Sequence, residues 1–148
     1  MTFNWRDQKG LTLLEVVIAL SLLTVIIMGL MFVVGSTSKA MTMSKDRDRA
    51  TALASTFLEL LGTTGYDDLI VFNNVNTSDA NATFPEEPKF YSICDRWRNE
   101  IKSTLSSDAF GVVRVETNTP VAGRTRITVF VFWERGGSQH SVNMVEVR

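Results

Sequence analysis

The sequence predicts an α+β protein in which a long N-terminal helix, one half membrane-spanning and one half amphipathic, packs on a small antiparallel β-sheet. Three observations favour this fold class. No residue is charged from Val16 to Ser38. An apolar stripe with helical spacing follows at 50–61, and two alternating apolar segments meet at a Gly-Gly turn at 136–137.

Composition limits the size and the class of the protein. The chain has 148 residues, of which 45% are hydrophobic, enough for one modest domain and one membrane-length segment. A formal net charge of −1 gives no reason to expect nucleic acid or an acidic lipid surface as the main partner. Because Cys94 is the single cysteine, no intrachain disulfide can form and packing must hold the fold.

The uncharged segment is long enough for a membrane. A helix from Val16 to Ser38, at 1.5 Å per residue, exceeds the roughly 30 Å of a bilayer core. It is longer than the apolar part of a secretory signal, and no small-x-small cleavage site follows it. Basic residues lie beyond both of its ends, so counting Lys and Arg does not fix its orientation.

Nothing in the sequence interrupts a helix from Thr12 to Leu61, because all three prolines lie after residue 84. Its second half carries apolar residues at helical spacing, which are expected to cover a folded domain. These are Ala50, Leu53, Ala54, Phe57, Leu58 and Leu61. The segment KDRDR at 45–49 is polar on every side and is expected to be solvated. Gly62 and Gly65 are then expected to end the helix.

The remainder is predicted to contain a loop, a short helix and a sheet. Residues 66–88 are rich in Asn, Asp and Pro and predict a long surface loop. A four-residue apolar spacing predicts a helix around Ile93 to Leu105, with Trp97 as a core residue. Three strands follow, at 111–117, 126–134 and 141–148, and the last two form a hairpin across Arg135–Ser138.

No catalytic or metal-binding pattern is found in the sequence, which has no glycine-rich phosphate loop, HExxH, CxxC or GxSxG. The sole histidine, His140, has no cysteine or carboxylate cluster beside it, and Cys94 fits a small core residue better than a nucleophile. We therefore expect a protein that is not an enzyme and needs no metal or cofactor. The alternating charges of DRWRNEIK, residues 95–102, favour a solvated helix face over a nucleic-acid contact, which remains the less favoured alternative.

Residues 9–15 carry a recognisable motif. Lys9-Gly10-Leu11-Thr12-Leu13-Leu14-Glu15, followed by the apolar segment, closely resembles the processing site of type IV prepilins and of the pseudopilins of type II secretion. The resemblance implies cleavage after Gly10 by an inner-membrane prepilin peptidase and methyltransferase, N-methylation of Leu11, and assembly with other pilins or pseudopilins through the helix. Most members of these families have Phe or Met at the position of Leu11.

The motif divides the chain into predicted segments. Residues 1–10 are a leader peptide, 11–38 an assembly helix, 39–62 its amphipathic continuation, and 63–148 a globular domain that includes the hairpin 126–148. The protein is expected to cross the inner membrane once and then to enter a pilus or pseudopilus filament.

Glu15 has two competing interpretations. Thr12 and Glu15 fit the capping-box pattern, in which both side chains satisfy free amides at a helix start. Alternatively, the carboxylate pairs in a filament with the amine that cleavage creates at Leu11 of a neighbouring subunit.

A second resemblance covers the rest of the chain. RATALASTFLELL followed by YDDL, the triplet Asp95-Arg96-Trp97, and VFW before the hairpin are similar to minor pilins of the type IV pilus modification (PilV) type. This resemblance implies a structural subunit at or near the filament tip, or one that primes assembly. The alternatives are an I-type minor pseudopilin of type II secretion, a tip adhesin or DNA-binding pilin that uses the 66–88 loop, and a membrane protein with a chance motif.

Overall fold

The computed structural model describes residues 12–148 and has the predicted α+β fold. Its elements are α1 (Leu13–Gly62), α2 (Tyr66–Leu69), a 3₁₀ helix (Ile70–Phe72), α3 (Pro88–Thr104), β1 (Phe110–Thr117), β2 (Thr125–Arg135) and β3 (Ser138–Val147). The strands form one antiparallel sheet in the order β1-β2-β3. The chain divides into two compact units, Met1–Met41 and Thr42–Arg148.

The second unit is organised around the apolar stripe of α1. The predicted stripe residues are all buried, with 0–7% of their surface exposed, so this prediction is confirmed. They share one core with α3 and with the inward side chains of the sheet. Burial of apolar area at about 25 cal/mol per Å² makes this stripe the main stabilising contribution of α1 to the unit.

The sheet buries one face by alternation, as the sequence predicts, although Thr128 of β2 is also buried on the opposite face. Val113 of β1 and Val129 and Val131 of β2 are fully buried on the inner face. The register places Met144 opposite Val129 and Val142 opposite Val131, so β3 adds partly buried apolar side chains to the same face. Positive φ angles of 63° and 76° at the two consecutive glycines 136 and 137 are those of a type I′ hairpin turn, which confirms the predicted hairpin.

Trp97 of α3 is a core residue, as predicted. It is 4% exposed and stacks on Phe57 of α1, with ring centroids 4.0 Å apart. Its indole N–H donates to the carbonyl of Leu53 at 3.4 Å. Gly111 of β1 lies against the same ring, because a Cβ at that position would be 2.2 Å from a ring carbon. The indole therefore requires a residue without a side chain on the facing strand.

The prediction of a long surface loop over 66–88 is wrong for its first half. That segment forms α2 and the 3₁₀ helix, and it buries Phe72 and Val75 in the core. It also lies along β1: the Val113 N–H donates to the Val75 carbonyl, and the Thr77 N–H donates to the Gly111 carbonyl, both at 2.9 Å. The segment is rich in polar residues that are typical of loops, but the apolar residues among them pack on the sheet.

The helix predicted around Ile93 to Leu105 begins earlier, at Pro88. Proline is favoured in the first turn of a helix, because the N–H that it lacks has no partner there and its φ is already helical. The apolar spacing alone marks only the part of α3 that faces the core.

The expectation that KDRDR is solvated is wrong for Asp46, which is only 2% exposed. Its Oδ2 lies 2.7 Å from Nη2 of Arg135 and accepts from Nε of the same guanidinium at 2.8 Å. Asp46 lies four residues before Ala50 and so continues the buried stripe of α1. The two-point ion pair ties α1 to the end of β2, where the hairpin turns.

The second unit alone, Thr42–Arg148, is expected to be soluble and to unfold cooperatively, because the α1 stripe remains to cover the sheet. In this fragment Trp97→Ala should lower the free energy of unfolding by about 3–5 kcal/mol, the range for an aromatic side chain deleted from a core. Urea unfolding followed by far-UV circular dichroism measures both effects. Arg96→Ala, a change at the exposed neighbouring residue, is the control and should alter the free energy by roughly 0.5 kcal/mol or less.

A fragment that starts at Gly62 lacks the stripe and should aggregate, because the inner face of the sheet is then open to water. A soluble, cooperatively folded fragment 62–148 would contradict the packing described here.

Candidate functional site

The candidate site is the motif at the start of α1. Lys9, Gly10 and Leu11 lie outside the described residues, so the cleavage and methylation positions remain predictions from the sequence. Thr12, Leu13, Leu14 and Glu15 are described, and they form the entry to α1 and its first turn. The geometry of this turn bears directly on the two interpretations of Glu15.

Thr12 caps the helix. Its carbonyl accepts from the N–H groups of Glu15 at 3.0 Å and Val16 at 3.2 Å, and its Oγ1 lies 3.3 Å from the Glu15 nitrogen. These contacts are one half of a capping box, the half in which the threonine hydroxyl meets the amide three residues on. The other half, from the Thr12 N–H to the Glu15 carboxylate, is not formed among the described residues. The Glu15 carboxylate is thus left exposed and without a partner in this part of the chain.

The other polar side chains in the apolar part of α1 are satisfied within the helix. The hydroxyls of Ser21 and Thr24 donate to the carbonyls four residues earlier, both at 2.8 Å, and Thr37 does the same at 2.9 Å. Such bonds leave no hydroxyl donor open toward hydrocarbon, where an unsatisfied polar group costs several kcal/mol. In residues 12–38, therefore, Glu15 carries the one ionisable side chain, and its carboxylate has no partner among the described residues.

The apolar part of α1 is exposed along its whole described length. Within residues 12–148, α1 is the one helix that is long and apolar enough to cross a membrane, judged by length and composition, and none of its most apolar stretch is buried. Phe32 is 79% exposed and Leu13 is 85% exposed. A helix in the core of a soluble protein would be mostly buried, whereas an N-terminal signal sequence would have the same features.

The other candidate groups lie elsewhere in the second unit. Burial raises the pKa of the Cys94 thiol to about 12, so the thiol stays protonated at neutral pH and acts as a core side chain, as expected. His140 lies opposite Trp133 in the hairpin, with the ring centroids 5.7 Å apart. In the part of the chain that the structure describes, no three metal-ligating side chains come together.

Two of the three basic residues of DRWRNEIK form ion pairs with Asp79. Nζ of Lys102 lies 2.6 and 2.7 Å from the two carboxylate oxygens of Asp79, and the Arg98 guanidinium also pairs with Asp79. Hydrogen bonds from Lys102 and then from Arg98 lower the pKa of Asp79. Because the carboxylates of Asp79, Asp95 and Glu100 balance the three basic side chains of the segment, this face of α3 offers little to a phosphate backbone.

The motif also stands out in comparison with known proteins. A family model described as the prokaryotic N-terminal methylation motif matches residues 5–31. This match supports the interpretation of the chain as a type IV pilin-like protein. It covers Gly10, Leu11 and Glu15 together with much of the apolar segment, and it implies processing by a prepilin peptidase and assembly with other pilins. No curated protein and no solved structure matches the chain.

Processing gives the first test of the site. We expect the mature protein to begin at Leu11, because Gly10 has no side chain and lets a protease take the extended backbone. The intact mass of the cellular protein should fall by the mass of residues 1–10 and rise by one methyl group. Gly10→Val is the control, because its bulky side chain should block cleavage and leave the full mass. A wild-type protein that keeps its leader in cells with active peptidase would contradict the pilin-like interpretation.

Proposed function

We propose that the protein is a structural minor pilin, with no catalytic role of its own, that enters a type IV pilus or primes its assembly after cleavage at Gly10 and N-methylation of Leu11. The observation that carries the proposal is the Glu15 carboxylate, which has no partner among the described residues and stands at the entrance of an exposed apolar helix. A carboxylate in that position is available to pair with a cation of another subunit.

Cleavage supplies the partner. Before cleavage the Leu11 nitrogen is a neutral amide, and afterwards it is an amine with a pKa of about 8, mostly positive at neutral pH. In a filament the apolar helices pack on one another and exclude water, so this cation can pair with Glu15 of the adjacent subunit. The pair relieves a carboxylate that costs about 1 kcal/mol or more in a bilayer. It also sets the axial register between neighbouring subunits.

The assignment to a pilus rests on the PilV-type resemblance of the second unit. The Asp95-Arg96-Trp97 triplet of that resemblance lies in α3, where Trp97 is held by Phe57 and Gly111. An I-type minor pseudopilin of type II secretion has the same N-terminal motif and is the alternative. Whether the genes beside this one encode a pilus or a secretion system separates the two.

A tip adhesin or DNA-binding pilin has less support. The 66–88 segment on which this alternative relies is partly internal, since Phe72, Val75 and Thr77 are buried. The exposed residues lie in both halves of the segment, among them Tyr66 and Ile70 in the first half and, in the second, the Asp79 that holds Lys102. The surface available to a ligand is therefore smaller than the sequence indicates.

In the proposed function the protein crosses the inner membrane once, meets the prepilin peptidase and methyltransferase there, and then joins other pilins through α1. No metal, cofactor or nucleic acid takes part in this sequence of events.

Glu15→Gln separates a capping role from an assembly role. Glutamine still completes a capping box but brings no charge, so the variant should be inserted and cleaved normally. Its incorporation into sheared filaments should fall roughly tenfold, the equivalent of losing about 1.4 kcal/mol of intersubunit attraction. Quantitative immunoblots of filament and membrane fractions measure the ratio. Glu59→Gln, at an exposed position farther along α1, is the matched control and should incorporate normally.

Normal incorporation of the Glu15→Gln variant would return Glu15 to the role of a helix cap. Failure of cleavage in that variant would instead place the carboxylate in recognition by the peptidase.

A further inference from the structure

We propose that the free edge of β3 accepts an extended segment of a different subunit, which adds a fourth strand to the sheet beside β3. The proposal starts from the strand order β1-β2-β3, in which β3 is an edge strand from Ser138 to Val147. An edge strand presents a row of unpaired N–H and C=O groups, and such a row is a template for another strand.

The register tells which backbone groups of β3 are free. Thr125 and Arg148 exchange both backbone hydrogen bonds, at 2.8 and 3.0 Å. In an antiparallel pair such hydrogen-bonded residues alternate with residues whose N–H and C=O point the other way. The even-numbered residues of β3 therefore bond to β2, and the odd-numbered residues direct their backbone groups outward. The outward set is Gln139, Ser141, Asn143, Val145 and Val147, and all of them have exposed side chains.

The opposite edge of the sheet is already occupied by the chain itself. Segment 73–77 runs along β1, where the Val113 N–H donates to the Val75 carbonyl at 2.9 Å and the Gly111 N–H donates to Thr77 Oγ1 at 2.8 Å. The Val115 N–H donates to the side chain of Asn73 at 3.0 Å. The backbone N–H groups of β1 that point away from β2 thus have partners. The corresponding N–H groups of β3 have none among the described residues.

β3 has few of the features with which proteins usually protect an exposed edge: its one charged residue, Glu146, lies on the inner face of the sheet and pairs with Arg148 just beyond the strand. It contains no proline and no lysine, and its register with β2 runs without a bulge from Ser138 to Val147. None of the β3 residues whose backbone groups point away from β2 is charged. A monomeric edge of this length with so little protection is prone to pairing.

The side chains beside the edge define the chemistry of the incoming segment. On the inner face Val142 and Met144 are only partly buried and offer apolar surface to a neighbouring strand. On the outer face Val145 is 50% exposed and Val147 is 44% exposed. The partner strand is therefore uncharged over its central residues and carries apolar side chains on the inner face, beside Val142 and Met144, whereas its outer face is polar beside Ser141 and Asn143 and apolar beside Val145.

A different subunit suits this edge better than a second copy of the chain. Antiparallel pairing of β3 with its own copy requires a two-fold axis perpendicular to the sheet. The part of α1 that packs on the sheet would then run in opposite directions in the two copies. A filament needs its subunits to run in one direction, so this choice of partner, unlike the open edge itself, rests on the proposed function.

Site-specific photocrosslinking in the full-length protein tests the proposal. A photoreactive phenylalanine analogue is placed in turn at residues 141, 143 and 145, and at Glu100, an exposed residue of α3, as the control position. The cross-linked peptides are mapped by mass spectrometry in the native host. We expect the three edge positions to attach to alternate residues of one extended segment in another polypeptide, and the Glu100 position to give no such series.

Proline substitution tests whether the backbone makes the contact. With the probe at residue 141, Asn143→Pro removes an outward N–H that the fold does not use, whereas Asn143→Ala keeps it. The proline variant should cross-link roughly five- to tenfold less than the alanine variant, as expected for the loss of about one hydrogen bond. If Asn143→Pro does not fold, Asn143→Lys decides the matter, because it keeps the amide and adds a charge to the edge.

Equal cross-linking of the proline and alanine variants, a scattered pattern, or a pattern no different from that of the Glu100 position would overturn the proposal. Attachment to β3 of a second copy would overturn the choice of partner. Normal leader cleavage without cross-links from the three edge positions to alternate residues of one segment would contradict this inference alone. That cross-linking pattern in a protein that keeps its leader would contradict the proposed function alone.

Discussion

The protein depends on one constraint: the apolar part of α1 has nothing within the described chain to bury against. Its side chains are exposed from Thr12 to Met41, and its hydroxyls turn back onto the helix rather than toward another element. Such a surface is stable only in hydrocarbon or against other apolar helices. A lone carboxylate at its entrance is tolerated where a cation can meet it, and in the proposed filament that cation is the amine released by cleavage.

The farther part of α1 meets the opposite situation. There the apolar stripe that ends at Leu61 packs on the sheet and on α3. The Asp46–Arg135 ion pair links the same part of α1 to the end of β2. Truncating Arg135 is costly, because it leaves the Asp46 carboxylate buried without its partner, whereas the Arg135 side chain is half-exposed. The second unit has a closed core on its inner face, and a row of unpaired backbone groups lies at the edge of β3.

Much of this could be predicted from periodicity. The α1 stripe, the Trp97 position and the Gly-Gly hairpin each follow from a spacing of 3.6 or 2 residues or from turn chemistry. The docking of Val75 on β1 could not be predicted, because a few apolar residues among Asn and Asp show no hydrophobic periodicity. The burial of Asp46 could have been inferred, since it lies four residues before Ala50 on the stripe, but its partner is 89 residues away in sequence. The half-formed capping box at Thr12 is seen only in the structure, because the sequence fits both interpretations of Glu15 equally well.

The measurement that tests the central claim most directly is the distance between Glu15 and the N-terminal amine of the adjacent subunit, in a high-resolution electron cryomicroscopy structure of filaments that contain this protein. We expect a Glu15 carboxylate oxygen within about 4 Å of the methylated Leu11 nitrogen of a neighbour. A Glu15 carboxylate that instead bonds the Thr12 N–H of its own chain, with no neighbouring amine in reach, would contradict the account.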